Sequence, residues 1–356
     1  MLMVIFGAGA SFDSSPTYIP GSVPPGASST DQHNDFNRPP LAKDLFANRP
    51  LFIDALEAFP QCKTIVPRLR APAVISGQTS IETVLQEIEE EAETYTRGPQ
   101  ELAAVRCYLQ RAISQCEMQW RSTTRGITNY LTLLREIERK HRGDERVCLV
   151  TFNYDTLLEA ALEHLGLMVG SMEDYIDRLA LFRVFKLHGS VNWAQEVEIL
   201  LPDNMNPGHP PSILRHLIEH AAGLPISNRF VLCDPGSMGV VNGRPVFPAI
   251  AIPVEKKQSF QCPQHMIDQL AAALPHVTKI LVIGWRASEA HFLDLLKRHL
   301  KRGVYLCVVA GNQAEAEAVK TRIHKVLLNN PPSSTADPAG FTEFIRSRRA
   351  EGILSG

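Results

Sequence analysis

The amino-acid sequence predicts an α/β protein with a Rossmann-like, doubly wound parallel sheet and an inserted helical subdomain. Five short runs, rich in Val, Ile, Leu and Phe, have little polar alternation, as in strands covered on both faces. They occupy residues 2–6, 147–152, 182–187, 279–283 and 304–309. Amphipathic helical patterns follow three of them, and this repetition of strand and helix is typical of doubly wound sheets.

Each of these helical patterns carries its own start or stop signal. After the second run, apolar residues at helical spacing extend over 157–165, and Gly166 is a suitable stop. After the fourth run, Ser288 is a suitable N-cap for a helix whose apolar stripe covers 292–300. After the fifth run, the stripe over 316–327 is acidic at its start and basic later, which suits the helix dipole.

Two long stretches interrupt the pattern of strands and helices. About 140 residues separate the first two predicted strands, far more than a crossover needs. Apolar residues at helical spacing over 81–88 mark one amphipathic helix in this stretch. We therefore expect one domain over residues 1–330, with a helical insert at about 41–145 and an irregular, proline-rich insert at about 194–275. Residues 331–356 are expected to form a loosely structured C-terminal tail with one short helix.

Composition predicts a soluble globular protein. Of 356 residues, 44% are apolar and 21% are charged, and the net charge of −2 gives no basic stripe for nucleic acid. The seven cysteines form no Cys-x-x-Cys pair, so we expect neither a zinc site nor a redox motif. We find no basic signal-peptide region and no apolar run of bilayer-spanning length, and we expect a cytoplasmic location without membrane contact.

A glycine-rich segment, Gly7-Ala-Gly-Ala-Ser11, directly follows the first predicted strand. Glycine there permits a sharp turn and the close approach of a pyrophosphate, although a simple tight strand exit has the same signature. The third glycine of a dinucleotide fingerprint is replaced by Phe12, and residues 12–40 contain six prolines and are predicted to form a long loop, suited to a lid. Because no acidic residue follows a second strand at the expected distance, an ordinary dehydrogenase is disfavoured.

Polar residues follow the second and third predicted strands. Asn153 and Asp155 precede a helix, so one can act as a cap while the other faces a ligand. His188 follows the third strand, and a lone histidine is more often structural than catalytic. Ligands of open α/β sheets nevertheless bind outside the carboxyl ends of the strands. A histidine there, with an ordinary pKa of about 6.5, is suited to accept a proton near neutrality.

Taken together, these motifs resemble the sirtuin superfamily, and most nearly the sirtuin-like domains of bacterial antiphage defence systems. The resemblance covers roughly residues 1–328 and rests on the order of the motifs, since each is weak alone. It is carried by Gly7-Ala-Gly-Ala-Ser11, Arg38-Pro-Pro-Leu41, Ser80-Ile-Glu-Thr-Val-Leu85, Asn153-Tyr-Asp155, His188-Gly189, Ile283-Gly-Trp-Arg-Ala-Ser288 and Val308-Val-Ala-Gly-Asn312.

The resemblance implies roles for these residues around a bound NAD molecule. Residues at the pyrophosphate would be Gly7, Ala8, Gly9 and Ser11. Asn153 would lie beside the nicotinamide ribose, Asp155 would face the carboxamide, and His188 would be the general base. The remaining NAD contacts would come from Gly284 and Ser288, on the far side of the dinucleotide, and from Asn312 at its adenosine end.

Departures from the protein-deacylating sirtuins point to a different acceptor. Those enzymes carry a zinc module of two Cys-x-x-Cys pairs after the His-Gly motif, whereas only Cys233 and Cys262 fall in that region here. The resemblance to the defence branch therefore implies hydrolysis of NAD to nicotinamide and ADP-ribose, without a metal, in abortive infection. The alternatives are an NAD-dependent protein deacylase or ADP-ribosyltransferase, and a non-catalytic module that binds NAD or ADP-ribose. The same resemblance implies a homo-oligomer with a HerA-type ATPase or an Argonaute-like protein as partner.

Overall fold

The computed structural model describes residues 1–17, 37–141, 145–202, 205–254, 259–301, 303–328 and 331–354. The chain divides into two units, each built from separate stretches of sequence. The first unit comprises Met1–Pro39, Glu117–Leu187 and Gln264–Gly356, and the second comprises Pro40–Cys116 and His188–Pro263. Most of the predicted loop over 12–40, and with it the proposed lid, lies outside the described residues.

The strands, in chain order, are β1 (Leu2–Phe6), β2 (Val147–Thr151), β3 (Phe182–Lys186), β4 (Gly189–Val197), β5 (Ile226–Leu232), β6 (Val240–Val241), β7 (Arg244–Ile250), β8 (Lys279–Ile283), β9 (Tyr305–Val309) and β10 (Ser333–Asp337). The α-helices are α1 (Ala8–Phe12), α2 (Pro50–Ala58), α3 (Val66–Leu69), α4 (Pro72–Ile75), α5 (Ile81–Ala92), α6 (Gly98–Thr124), α7 (Asn129–Lys140), α8 (Leu157–Glu163), α9 (Asp174–Asp177), α10 (Pro210–Glu219), α11 (Gln264–Ala273), α12 (Ala290–His299), α13 (Gln313–Val326), α14 (Gly340–Arg346) and α15 (Ala350–Leu354).

A six-stranded parallel sheet in the order β10-β9-β8-β1-β2-β3 forms the centre of the first unit. Numbered along the chain, these six strands follow the order 3-2-1-4-5-6, which is that of a dinucleotide-binding Rossmann fold. All residues of β1 and β2 are buried, as the absence of polar alternation predicted. The predicted fold class is therefore confirmed.

The five predicted strands are all present, and their ends agree to within one residue. The sixth strand, β10, was not predicted. Its sequence, Ser-Ser-Thr-Ala-Asp, is polar and partly exposed because β10 is an edge strand of the sheet. The prediction of a loosely structured tail is thus wrong for residues 333–337, while the short helix expected there is present as α14.

Helices α8, α12 and α13 follow β2, β8 and β9, as the apolar stripes predicted. Two details at their starts differ from expectation. Ser288 is not the N-cap of α12, because Glu289 holds that position without a side-chain cap. A one-turn helix, α1, begins at Ala8 inside the glycine-rich segment, where we expected a sharp turn, and it ends at Phe12, where we expected the long loop to begin.

The second unit combines the helices between residues 50 and 116 with a four-stranded antiparallel sheet in the order β5-β4-β7-β6. The stretch over 194–275, predicted to be irregular, therefore contains strands and helices. Ser80 caps α5 by accepting the N–H of Thr83. Within the described residues, we find no helix that is both long and apolar enough to cross a membrane.

Candidate functional site

The carboxyl ends of the six parallel strands form one continuous row. Strand registers pair Asp337 with Val309, Val309 with Ile283, Ile283 with Phe6, and so on to Thr151 and Lys186. The strand order reverses between β1 and β8, and ligands of open α/β sheets bind at such a switch point. The glycine turn after β1 and the Asn153 segment after β2 therefore leave the sheet at the edge where a ligand is expected.

Three glycines bring the chain segments at the switch point into direct contact. A Cβ on Gly7 would lie 2.5 Å from Trp285 Cα, and one on Gly9 would lie 2.8 Å from Gly284 Cα. The N–H groups of Gly7 and Gly9 donate to the carbonyls of Ile283 and Gly284, each over 3.0 Å. These glycines are thus required by the packing of β1 against β8, and their two amide donors are already used within the chain.

A buried polar network begins two residues beyond Gly9. The side-chain Nδ2 of Asn153 donates to Ser11 Oγ over 2.9 Å and to Tyr130 Oη over 3.1 Å. Ser11 Oγ and Tyr130 Oη are themselves 3.0 Å apart. Asn153 and Ser11 are 7% and 2% exposed, so the network lies almost entirely out of solvent. The structure thus joins the first and second sequence motifs directly, and also through Tyr130, a residue that the sequence analysis did not single out.

The side-chain amide of Asn153 donates to both hydroxyls of this network, whichever of Ser11 and Tyr130 donates to the other. The two hydrogens of the Asn153 amide are then used, which leaves its carbonyl oxygen Oδ1 as the group that can act on a ligand.

Asp155 is not the N-cap of α8, since Thr156 holds that position without a side-chain cap, but Asp155 contacts the first residue of the helix. Its Oδ1 accepts the N–H of Leu157 over 3.2 Å at the start of α8. Burial raises the pKa of Asp155, while Lys186 and the hydrogen bond from Ser11 act in the opposite direction. The side chain therefore belongs to both the helix start and the polar network.

Lys186, at the end of β3, holds the backbone of Asp155 in place, and the sequence analysis missed it. Its side chain is fully buried, and its Nζ donates to the Asp155 carbonyl over 2.5 Å and to Glu159 Oε1 over 2.8 Å. Tyr175 Oη donates to the same Glu159 oxygen over 2.9 Å. A buried ammonium requires such partners, because an unpaired charge there would be strongly destabilising. The available signal was a lysine at the carboxyl end of a strand whose other residues, apart from Arg183, are apolar.

Glu117 holds the backbone that follows Asp155. It accepts the Thr156 N–H over 2.8 Å and also the Thr156 hydroxyl. Burial, and then the nearby charge of Asp155, raise the pKa of Glu117 from its ordinary value of 4.5 to about 7. Near neutral pH this carboxyl group is therefore poised between its two protonation states.

The raised pKa of Glu117 predicts a pH-dependent stability. Between its ordinary pKa and about 7 the folded protein binds more protons than the unfolded chain, so the free energy of unfolding falls as pH rises through this window. The expected loss is about 3 kcal/mol between about pH 5 and pH 8. Urea unfolding at several pH values measures it. The variant Glu117→Gln should flatten the profile, and a profile unchanged by this substitution would contradict the assignment.

His188 follows Leu187, whose N–H still donates to the Thr151 carbonyl over 3.1 Å as the last bond of β3 to the sheet. His188 is 4% exposed, and its own carbonyl accepts the N–H of Ala251 over 3.0 Å. Gly189 has a φ of +78°, and a Cβ there would clash with the Ala249 carbonyl oxygen. His188 and Gly189 are therefore held against the Ala249–Ala251 segment, and only glycine fits position 189.

The other residues that the resemblance places around NAD have different surroundings. Ala8 is half-buried at the start of α1. Ser288 is exposed, and its hydroxyl donates to Glu289 Oε2 over 3.2 Å. Asn312 is exposed and caps α13, where its Oδ1 accepts the Glu315 N–H over 2.9 Å. The described contacts do not join Ser288 or Asn312 to the network around Asn153, and their roles remain predictions.

An aromatic cluster packs against the Gly284 turn. The rings of Phe152 and Trp285 are stacked at 5.2 Å with an interplanar angle of 9°, and Phe292 meets both edge-on. Trp285 Nε1 donates to Glu289 Oε2 over 2.5 Å. These contacts fix the turn after β8 against the residue that precedes Asn153.

In the described part of the chain, no group of three or more His, Cys, Asp or Glu side chains is placed to hold a metal ion. All seven cysteines are buried free thiols. Burial raises the pKa of Cys233 and of Cys262 to about 12, so neither is a ready thiolate at neutral pH.

Comparison with known proteins finds structural likeness only. No protein-family model and no curated protein sequence matches the chain. A structure of Sir2 with the inhibitor EX-527, 2′-O-acetyl-ADP-ribose and a deacetylated p53 peptide is 13% identical with a TM-score of 0.39, over 100% of this chain and 95% of that one. A structure of Sir2Tm bound to a propionylated peptide is 13% identical with a TM-score of 0.38, over 100% of this chain and 94% of that one. A structure of a Sir2 homologue in complex with NAD is 11% identical with a TM-score of 0.38, over 99% of this chain and 90% of that one. Since all three TM-scores are below 0.5, we transfer no property of those proteins to this chain.

Proposed function

We propose that this chain is an NAD glycohydrolase, which cleaves NAD to nicotinamide and ADP-ribose. The observation that carries the proposal is the buried Asn153 amide, which follows β2 and bonds to Ser11 beside the switch point of a Rossmann-ordered sheet. Its two N–H hydrogens are taken up by Ser11 and Tyr130, so its Oδ1 is held in one orientation. An acceptor fixed in this way suits the positioning of one water molecule. The sirtuin-like order of the motifs supplies the substrate class.

In the proposed reaction, a water oxygen forms a bond to C1′ of the nicotinamide ribose as the bond from C1′ to the pyridinium nitrogen breaks. Nicotinamide leaves with the electron pair of that bond, which neutralises its ring. Asn153 Oδ1 would accept one hydrogen bond from the attacking water, and His188 would take the proton that the water loses. General-base assistance of this kind contributes about 10²- to 10⁴-fold to a rate.

The contacts of Gly7 and Gly9 limit how the pyrophosphate would be held. Because their amides donate to Ile283 and Gly284, the glycines would contribute close approach of the backbone rather than amide hydrogen bonds. Ser11 Oγ is likewise engaged with Asn153 and Tyr130. We therefore expect much of the affinity for NAD to come from residues beyond this turn.

Incubation of the purified chain with NAD tests the proposal. We expect nicotinamide and ADP-ribose in equal amounts without any added peptide, measured by liquid chromatography. Release that requires an acyl-lysine peptide and yields an acylated ADP-ribose would indicate a deacylase instead. Saturable NAD binding without release would indicate a binding module, and either result would overturn the proposal.

A cell that contains such an activity needs it silent until required, because depletion of NAD is lethal. We propose that control comes from assembly in the cytoplasm, with the homo-oligomer and the HerA-type or Argonaute-like partner that the resemblance implies, in abortive infection. Size-exclusion chromatography with light scattering tests the oligomer. A monomer with full activity would exclude control by assembly.

A further inference from the structure

Helix α14, which follows β10, contacts the chain just after Ser11. The Thr342 N–H donates to Asp13 Oδ2 over 3.0 Å, and the Thr342 hydroxyl donates to Asp13 Oδ1 over 2.5 Å. Gly340 has a φ of +81°, and a Cβ there would lie 2.8 Å from Asp13 Oδ2. The start of α14 is thus shaped to receive the Asp13 carboxylate.

Asn129 completes the contact from the helix that carries Tyr130. Its Nδ2 donates to the Asp13 carbonyl and to the Thr342 hydroxyl, each over 2.8 Å, and its N–H donates to the Ser14 carbonyl over 2.7 Å. Asn129 is the first residue of α7 and is fully buried. Asp13, Asn129 and Thr342, which we call the clamp, therefore tie three distant parts of the sequence together beside Ser11.

The neighbouring residue of α14 holds the Tyr130 ring. Phe341 meets this ring edge-on, with the two ring centroids 5.7 Å apart. Phe6 packs against both rings, with its centroid 5.0 Å from that of Tyr130 and 6.5 Å from that of Phe341. Ring packing of this kind fixes the direction of the phenol C–O bond. The Tyr130 hydroxyl is thereby directed to Ser11 and Asn153.

We infer that α14 is a positioning element of the proposed active site, in which Thr342 fixes Asp13 and Phe341 fixes Tyr130, so that Ser11 and Asn153 keep their geometry. The inference rests on the proposed function and deepens it. The C-terminal segment has a separate attachment to the sheet, through the pairing of β10 with β9 and the bond of Arg349 to Asp337. Loss of the Thr342 hydroxyl therefore need not release the segment.

Three variants separate positioning from general stability. Thr342→Val keeps the shape of the side chain but removes the hydroxyl, whereas Thr342→Ser retains it. Arg349→Gln removes the bond to Asp337 and touches neither Asp13 nor Tyr130. We expect Thr342→Val to lower kcat for nicotinamide release about ten- to a hundredfold, with KM within about threefold of the original value. Thr342→Ser and Arg349→Gln should retain the original kcat.

Hydrogen exchange gives a readout that does not depend on NAD. The amides of Asp13 and Asn129 donate to Gly9 and Ser14, so their exchange reports on the clamp. We expect exchange about tenfold faster in Thr342→Val and unchanged in Arg349→Gln. If Thr342→Val does not fold, Phe341→Leu replaces it with the same expectation for kcat, whereas exchange at Asp13 and Asn129 should stay unchanged because this variant leaves the clamp bonds in place.

The inference would be overturned if Thr342→Val left both the exchange rates and kcat unchanged. It would also be overturned if Thr342→Ser or Arg349→Gln lowered kcat as much as Thr342→Val does. If the original protein releases no nicotinamide, the proposed function fails, and the exchange comparison still decides whether the clamp holds this segment. Faster exchange with an unchanged kcat would assign α14 to stability alone, which also overturns the positioning role.

Discussion

Replacement of Asn153 by alanine is expected to abolish nicotinamide release while the protein stays folded. The substitution removes the amide that bridges Ser11 and Tyr130, together with the Oδ1 that would hold the attacking water. The two hydroxyls can still bond to each other over their 3.0 Å separation, so the loss in stability should be modest, about 1–2 kcal/mol. The rate should fall by at least about 10²-fold, measured by chromatography of the products.

His188→Ala tests the other half of the proposed mechanism. We expect a comparable loss of release, because the variant has no side chain that can take the proton from water. The pH profile separates the two roles. Residual activity of Asn153→Ala should keep the pH dependence of the original enzyme, whereas that of His188→Ala should lose the limb that reports the base.

Asn206 offers a matched control for the Asn153 variant. It is exposed, and among the described residues its side chain closes a turn by accepting the Gly208 N–H over 2.8 Å. Asn206→Ala should leave release and melting temperature close to the original values. If both Asn153→Ala and His188→Ala release nicotinamide at the original rate, the assignment of these two residues is refuted.

The parallel sheet could be predicted from sequence because its strands are buried on both faces and read as apolar runs. The exceptions have physical causes. The edge strand β10 is polar, and β7 contains Pro245 and Pro248, which argue against a strand when read alone. Pairing of β4 with β5 and β7 is a long-range property that local patterns do not report. A method that looks for apolar runs therefore misses strands at a sheet edge and strands that contain proline.

The candidate site was predictable only where a motif follows a strand. Asn153 and Ser11 were found in this way, and the structure joins them. Tyr130, Glu117 and Lys186 were missed, since each lies within a regular helix or strand whose pattern indicates packing rather than chemistry. Their roles depend on which distant segment each side chain contacts, and local sequence patterns do not show this. The order of the strands in the folded sheet determines which segments meet.

Replacement of Gly284 by alanine is expected to be among the most destabilising single substitutions in the first unit. The residue has a φ of +61°, and a Cβ there would lie 2.5 Å from the Gly9 carbonyl carbon and 2.6 Å from Gly9 Cα, and would clash with the Ala10 nitrogen. These atoms belong to backbone that cannot rotate away as a side chain could. Relief of the clash would require β1 and β8 to separate at the switch point.

Gly166 supplies a control that separates this clash from backbone strain. It lies in the same unit and has a φ of +79°, but a Cβ there would meet nothing within 4 Å. Gly166→Ala should therefore lower the free energy of unfolding by about 1–2 kcal/mol, the strain of an L-residue at positive φ. Gly284→Ala should lower the free energy of unfolding by more than about 4 kcal/mol, because the added methyl group overpacks a site whose backbone cannot move away. Urea unfolding of both variants measures the difference, and equal losses would show that the contact between the two turns is not tight.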